Sequence, residues 1–484
     1  MTLTSTLQQI IERARVPIDA LYYLYRNEVG DAELFCELLQ AQVVYDHSER
    51  RWYLWRGGHW QPDLTEHVLS LVANVLVPRY AQAAREAGER GRRTLLRRYR
   101  RRMQALLALS RANNVLQIAS KLGPLSLDGR EWEVPAMVLP VANGLLDLKD
   151  GSLREALPQD HLRVHAPTPW LGLDCPAPRW EKQLDTTFGG DPERVGFVQR
   201  LLGYAISGDR REQVLPIFCG SGANGKSTLV DALAAVLGPD LSIPTQSEAL
   251  MDVGRADGNS ARPFIVRLRE KRLVWASESR EDSRLNVGLV KQLTGDESIT
   301  ARDLYARPVM FRQSHTLILI TNHRPRFPDA DDEAIWRRVL LVPFEQRFVD
   351  DPRRSNEHRR QRDISAGLRE EASGILAWLA RGCLEWQRVG LNPPAAVQTS
   401  TAQYRLDEDL LGQFIEDCAQ VGDDLKVGAG ALYRRYVDWC AENGHPPVSA
   451  RGFGLGMGSR FGRTAVQRVG RRTQRFYAGV GLSN

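Results

Sequence analysis

The chain has 484 residues, 43% apolar and 26% charged, the make-up of an ordinary globular protein with room for about three domains. That composition excludes collagen-like, coiled-coil and wholly disordered architectures, and no apolar run approaches the ~18 residues of a membrane helix. Net charge is +6, but only seven of the 65 basic residues are lysines. A coding bias accounts for that preference, yet each arginine still offers a planar fork that grips phosphate in two places.

The first seventeen residues, MTLTSTLQQIIERARVP, lack the basic start and unbroken apolar stretch of a secretory leader. Six cysteines, Cys36, Cys175, Cys219, Cys383, Cys418 and Cys440, show no CxxC spacing. They read as small core side chains in a reducing compartment, not as a metal site or disulfide framework. Two β-rich runs, Val43–Tyr45 and Trp52–Trp55, flank a charged turn, and Gly57-Gly58 leads on to Trp60, which predicts a small antiparallel sheet. A helical stretch between Pro78 and Asn113 carries nine arginines from Arg85 to Arg102. Within it Leu95, Leu96, Tyr99, Met103, Leu106 and Leu107 keep a helical period. The stretch reads either as a solvated helix face or as a contact for nucleic acid or a subunit.

From about 113 to 212 the pattern is mixed, with turns at Asn143-Gly144 and Lys149-Asp150-Gly151. Cys175-Pro176-Ala177-Pro178 precedes a helical segment, Trp180–Ser207. From 213 short apolar strands alternate with helices, the rhythm of an α/β nucleotide-binding core. The strands fall at Gln213–Cys219, Arg272–Ala276, Thr316–Ile320 and Val339–Phe344. A helical stretch, Ile364–Trp386, follows. Residues 407–484 read as helices and then short strands.

Gly220-Ser221-Gly222-Ala223-Asn224-Gly225-Lys226-Ser227 fits GxxxxGK[ST], directly after one predicted strand and before a predicted helix, Thr228–Leu237. Its glycines let backbone N–H groups wrap a phosphate, and the helix N-terminus adds its dipole. Lys226 supplies a point charge to the β- and γ-phosphates, and Ser227 a hydroxyl to Mg²⁺. Downstream, the strand in Lys271–Glu278 ends in a carboxylate where a Walker B acid must sit; the alternative is a strand that merely exits into a charged loop. The strand in His315–Asn322 ends in an amide able to orient water, or in a plain turn residue. Trp336-Arg337-Arg338 offers an arginine finger to a neighbouring subunit, or a simple surface pair.

In order and spacing these residues resemble superfamily 3 helicases, above all the helicase part of phage, plasmid and poxvirus primase-helicases. The resemblance covers roughly residues 30 to 400. It is carried by NGLLDL at 143–148, Gly203-Tyr204, GSGANGKST at 220–228, KRLVWASE at 271–278, KQLTG at 291–295, ITARDLY at 299–305, TNHRP at 321–325 and IWRR at 335–338. It implies an AAA+ type core that assembles as a hexameric ring and moves on single-stranded DNA, typically 3′ to 5′, using ATP and Mg²⁺. By position it assigns residues 220–228, Thr228 included, to the nucleotide, with Lys226 central. Ser227 and Glu278 go to the metal, Asn322 to the sensor, and Arg337 or Arg338 to the finger. The segment Ile299–Phe311 matches a hairpin that dips into the ring channel, with Arg302, Tyr305 and Arg307 against DNA; the alternative is a hairpin that steadies the subunit interface. Many relatives have two adjacent acids where Ser277 precedes Glu278 here, and Glu281 or Asp282 can assist. The resemblance starts within about thirty residues of Met1, so priming is expected from a separate primase.

The tail has its own pattern. Leu432–Cys440 is an amphipathic helix, Ser449–Phe461 a Gly-rich one, and Ala465–Leu482 resembles a β-wing, with seven arginines from Arg451 to Arg475. This suggests a winged helix on duplex or origin DNA, or a protein-docking domain. The expected architecture is therefore multidomain α/β. A mixed and helical region spans 1–200, an AAA+ type P-loop core with a central parallel sheet 201–350, a helical segment 351–406, and a winged-helix-like basic domain 407–484. The expected activity is that of an ATP-dependent replicative DNA helicase, the alternative an initiator that melts an origin. The expected location is the cytoplasm, the host's if a phage encodes the chain, with no membrane partner.

Overall fold

The structure, a computed structural model, describes residues 20–251, 263–278, 280, 283–304, 308–327, 332–462, 465–469 and 472–483. Helices α1 (Ala20–Tyr25) and α2 (Asn27–Leu39) lead into strands β1 (Val43–Asp46), β2 (Arg51–Trp55) and β3 (Trp60–Pro62). These pair antiparallel as the sequence predicts, and β4 (Ser126–Leu127) joins β1 in parallel. The arginine-rich stretch is three helices: α3 (His67–Glu89), α4 (Arg93–Leu106) and α5 (Leu109–Ala119). Gly91, at φ +66°, breaks the first from the second. Asp31 on α2 is fully buried and accepts hydrogen bonds from Arg102, Arg111 and the Tyr80 hydroxyl at 2.7, 2.7 and 2.8 Å. A buried carboxylate persists only when paired this completely, so Arg102 serves the interior of the helical unit.

Strands β5 (Val138–Val141), β6 (Gly144–Asp147) and β7 (Leu153–Arg154) form a small antiparallel sheet turning at Asn143-Gly144. The predicted helix Trp180–Ser207 is two, α6 (Pro178–Thr187) and α7 (Pro192–Ser207). Gly189 and Gly190 both take positive φ between them, and Asp191 caps α7 by accepting from the N–H groups of Glu193 and Arg194.

The central layer runs β8 (Leu215–Cys219), α8 (Lys226–Leu241), β9 (Ser242–Gln246), α9 (Pro263–Val266), β10 (Leu273–Glu278) and α10 (Val287–Thr294). The hairpin β11 (Ile299–Ala301) and β12 (Val309–Phe311) follows, then β13 (Thr316–Thr321), α11 (Glu333–Trp336) and β14 (Val339–Pro343). Five of these strands make one sheet in the order β14-β8-β13-β10-β9, every neighbour parallel. The central parallel sheet expected from the sequence is thus present, with four strands at the expected places. β9 was not foreseen. It is polar and contains Pro244, which is tolerated because β9 is an edge strand whose outer N–H groups need no partner.

After the sheet come the parallel pair β15 (Arg347–Val349) and β16 (Glu357–Arg359), then α12 (Ile364–Glu370), α13 (Ala372–Val389) and α14 (Ala395–Glu408). The backbones of α7 and α13 touch: a Cβ on Gly203 would lie 2.1 Å from the Cys383 nitrogen, and one on Gly382 2.1 Å from the Gln199 oxygen. One continuous apolar core therefore runs from Met137 through α7, the sheet and α13 to Val397. A separate core holds Ala20 to Leu125. The two apolar cores separate near residue 135, and the residues of α12 and α13 share the core of the sheet.

The last unit is α15 (Leu410–Cys418), β17 (Ala419–Gly428), α16 (Ala429–Glu442), α17 (Ala450–Phe461), β18 (Ala465–Val469) and β19 (Arg472–Leu482). Its antiparallel sheet has the order β17-β19-β18, and Phe414, Tyr436, Trp439 and Phe453 form its own core. Among the described residues no helix is long and apolar enough to cross a membrane.

Candidate functional site

Strand register lines up the carboxyl ends of the sheet: Cys219 lies beside Thr321 on one side and Pro343 on the other, and Thr321 beside Glu278. The loops that leave these ends share one cleft of about 720 Å³, within the range of small-molecule sites. Loop 220–225 connects β8 to α8. Gly225, at φ +86°, turns the chain into α8 in a conformation that a Cβ would strain, and no side chain caps that helix. The first N–H groups of α8 and its dipole therefore face the cleft, ready for an anion. The loop is held from outside: the Asn224 amide donates to the Phe344 carbonyl at 3.3 Å, and the Phe348 N–H to the Ala223 carbonyl at 2.6 Å.

Lys226 is buried at the first position of α8. Its ammonium donates to three uncharged oxygens, Gly220 O at 2.6 Å, Asn224 Oδ1 at 3.0 Å and Asn322 Oδ1 at 3.3 Å. Burial pushes its pKa down to about 8. A desolvated cation held only by neutral oxygens gains strongly from an incoming anion. Glu278 is buried at the end of β10, where one carboxylate oxygen accepts the Arg280 N–H at 2.8 Å. Gly222 to Thr228, Ser277, Glu278 and Asn322 all line the cleft. The structure thus brings together the phosphate loop, the Walker B candidate and the sensor candidate. Ser227 and Glu278 share the cleft as hard oxygen donors, the donor type that suits Mg²⁺. Glu281 and Asp282 lie outside the described residues.

Some cleft residues had no sequence signal. Gln183 on α6, Phe348 on β15, and Arg360, Gln361 and Arg362 after β16 also line the cleft, from segments with no motif of their own.

The arginine pair divides. Arg338 is buried, donating to Gln213 Oε1 at 3.1 Å and to the Ala334 carbonyl. These contacts tie it into the fold at the start of β14. Arg337 is exposed, and its side chain makes no hydrogen bond or ion pair among the described residues. Both sit at the start of β14, which pairs from Val339 with Leu215 to Pro343 with Cys219. They lie at the amino ends of the strands, the opposite end from the phosphate loop, about 16 Å along a five-residue strand. Neither reaches the cleft of its own chain. Arg302 is exposed beside β11 and lies apart from the cleft, while Tyr305 and Arg307 are outside the described residues. All six cysteines are free, and among the described residues no three His, Cys, Asp or Glu side chains converge as a metal cluster.

Comparison with known proteins finds matches to three family profiles: "D5 N terminal like" at residues 32–189, a family of unknown function (DUF5906) at 218–338, and "Poxvirus D5 protein-like" at 406–464. The chain is similar to "Putative helicase L207/L206" of Acanthamoeba polyphaga mimivirus, 24% identical over 81% of this chain and 43% of the relative. It is also similar to "Putative helicase 022R" of Frog virus 3, 25% identical over 72% of this chain and 43% of the relative. The chain spans less than half the length of these curated relatives. Among solved structures, the apo NrS-1 C-terminal region matches 90% of this chain and 95% of its own at 13% identity and a TM-score of 0.46.

Proposed function

We propose that this chain is the ATP-driven motor of a replicative DNA helicase, an AAA+ type core of superfamily 3 working as a hexameric ring on single-stranded DNA. The observation that carries this reading is the Lys226 ammonium, desolvated among neutral oxygens, in one cleft with Glu278 and Asn322. The backbone of 220–228 would hold the phosphates of ATP, and Lys226 would face the β- and γ-phosphates. Ser227 and Glu278 would hold Mg²⁺, which when bound neutralises charge on the phosphates. Glu278 would accept a proton from the attacking water and Asn322 would orient it. The sheet order β14-β8-β13-β10-β9, with the phosphate loop on the strand second from one edge, suits that motor. The similarity to proteins named as helicases supports DNA as the track; 3′ to 5′ movement is the direction that the superfamily 3 resemblance implies.

A second reading rests on the tail. Its helix–strand–helix–helix–strand–strand order and its arginines suit a winged helix on duplex DNA, as an initiator that melts an origin would need. Both readings share one test of the cleft. Glu278→Gln keeps the shape and removes the base, so ATP binding is retained while hydrolysis stimulated by single-stranded DNA falls about 10²- to 10⁴-fold. Turnover near the wild-type rate would take the role of base away from Glu278.

A further inference from the structure

Between Glu89 and Asp128 the sequence holds ten basic residues and no carboxylate, more charge than the +6 of the whole protein. Two of the ten, Arg102 and Arg111, are spent on Asp31. Arg90, Arg92, Arg93, Arg97, Arg98, Arg100 and Arg101 are exposed, and among the described residues none forms an ion pair with a carboxylate. Seven like charges crowded on one surface repel one another and cost free energy unless something negative lies against them. Their arrangement is ordered. On α4, at about 100° per residue, Arg93, Arg97, Arg100 and Arg101 fall within an arc of about 100°, facing away from buried Tyr99 and Leu106. They climb the helix over about 12 Å, and the Arg93-to-Arg97 rise of about 6 Å spans two phosphates of a stacked strand, which repeat about every 3.4 Å.

Beside this ridge stand two exposed aromatic rings on α1. Arg98 stacks on Tyr25 at 5.1 Å and Arg26 on Tyr22 at 5.3 Å, yet the rings remain 63% and 54% exposed. A tyrosine held by a guanidinium, with much of its surface open to solvent, is a platform for an unpaired base. A duplex keeps its base faces stacked inside and cannot use it. The ridge therefore has the two elements of a sequence-blind single-strand site, cations along the backbone and aromatics for the bases.

We infer that the α4 arginine ridge with Tyr22 and Tyr25 is a nucleic-acid site separate from the ATP cleft and from the β11–β12 hairpin, and that its ligand is single-stranded DNA. It holds DNA without nucleotide, so its failure and a failure of the motor reading give different results. The test uses the full chain without ATP, titrated by fluorescence anisotropy against labelled oligo(dT) and against a blunt duplex over a range of salt. In a variant with Arg93→Gln, Arg97→Gln, Arg100→Gln and Arg101→Gln, oligo(dT) affinity at low salt falls at least about tenfold. The slope of log K against log salt becomes shallower by about 3, four contacts at about 0.7 each. Tyr22→Ala with Tyr25→Ala weakens oligo(dT) about tenfold and leaves the slope unchanged, because stacking releases no counterions. Basal ATP turnover without DNA is unchanged in both. Unchanged oligo(dT) affinity and slope in the arginine variant would overturn the site. A loss on blunt duplex equal to that on oligo(dT) would overturn the assignment to single strands.

Discussion

Lys226→Ala lowers ATP hydrolysis by about 10²- to 10³-fold, the scale on which removing one charge-stabilising donor from a reacting centre acts. The fold survives, because the ammonium touches only Gly220 O, Asn224 Oδ1 and Asn322 Oδ1 at the rim of the sheet and no core side chain depends on it. A thermal melt matching wild type, with turnover lost, is the expected pair of results. The same lysine sets a pH dependence. Free, its pKa is lowered to about 8 by burial; beside phosphate it rises. Nucleotide binding therefore takes up a proton above pH about 8, and affinity falls as pH increases through that range. Lys226→Ala removes this dependence. Hydrolysis that persists in the variant would take phosphate chemistry away from the cleft.

The second large effect belongs to Arg337. Exposed, without an ion pair to any described residue and at the opposite end of the strands from its own phosphate loop, it lies outside the cleft of its own chain. In the proposed ring it would act on the cleft of another subunit. Arg337→Ala keeps ATP binding in its own chain and lowers turnover of the assembly by about 10³-fold, the lower bound for an arginine finger. Mixing it with Lys226→Ala subunits restores part of the activity, because some interfaces then join an intact lysine to an intact arginine. No recovery at any ratio, with assembly confirmed by light scattering, would place the finger elsewhere. Arg338→Ala tests the contrast: it breaks the contact with Gln213 and leaves a cavity under β14, so it lowers the melting temperature and mixing restores nothing.

Much of the core was legible because β8, β10 and β13 lie inside a parallel sheet covered on both faces, and edge strand β14 is still mostly buried, so all four read as apolar runs. β9 escaped because an edge strand tolerates Pro244 and polar residues. The phosphate loop, Glu278 and Asn322 were legible because each follows directly on such a strand. Phe348 and Arg360 to Arg362 were not, because they reach the cleft from a short parallel pair and the loop beyond it, shaped by packing and not by periodicity. The break at Gly189-Gly190-Asp191-Pro192 carries the signal of a stop followed by an N-cap and a proline, set against an apolar period that runs through both helices. The joining of α7 to α13 had no local signal, because the contact of Gly203 with α13 is a long-range match between two helices that no window of sequence contains. Likewise Asp31, with Asn27 beside it, draws Arg102 of α4 and Arg111 of α5 inward.

The most direct measurement is strand displacement from a forked DNA with no origin sequence, followed by fluorescence as one strand leaves. The helicase reading predicts displacement that requires ATP and a single-stranded 3′ tail and is abolished by Lys226→Ala and by Glu278→Gln. ATP turnover stimulated by single-stranded DNA, with no strand released from any fork, would contradict it and leave the initiator in its place.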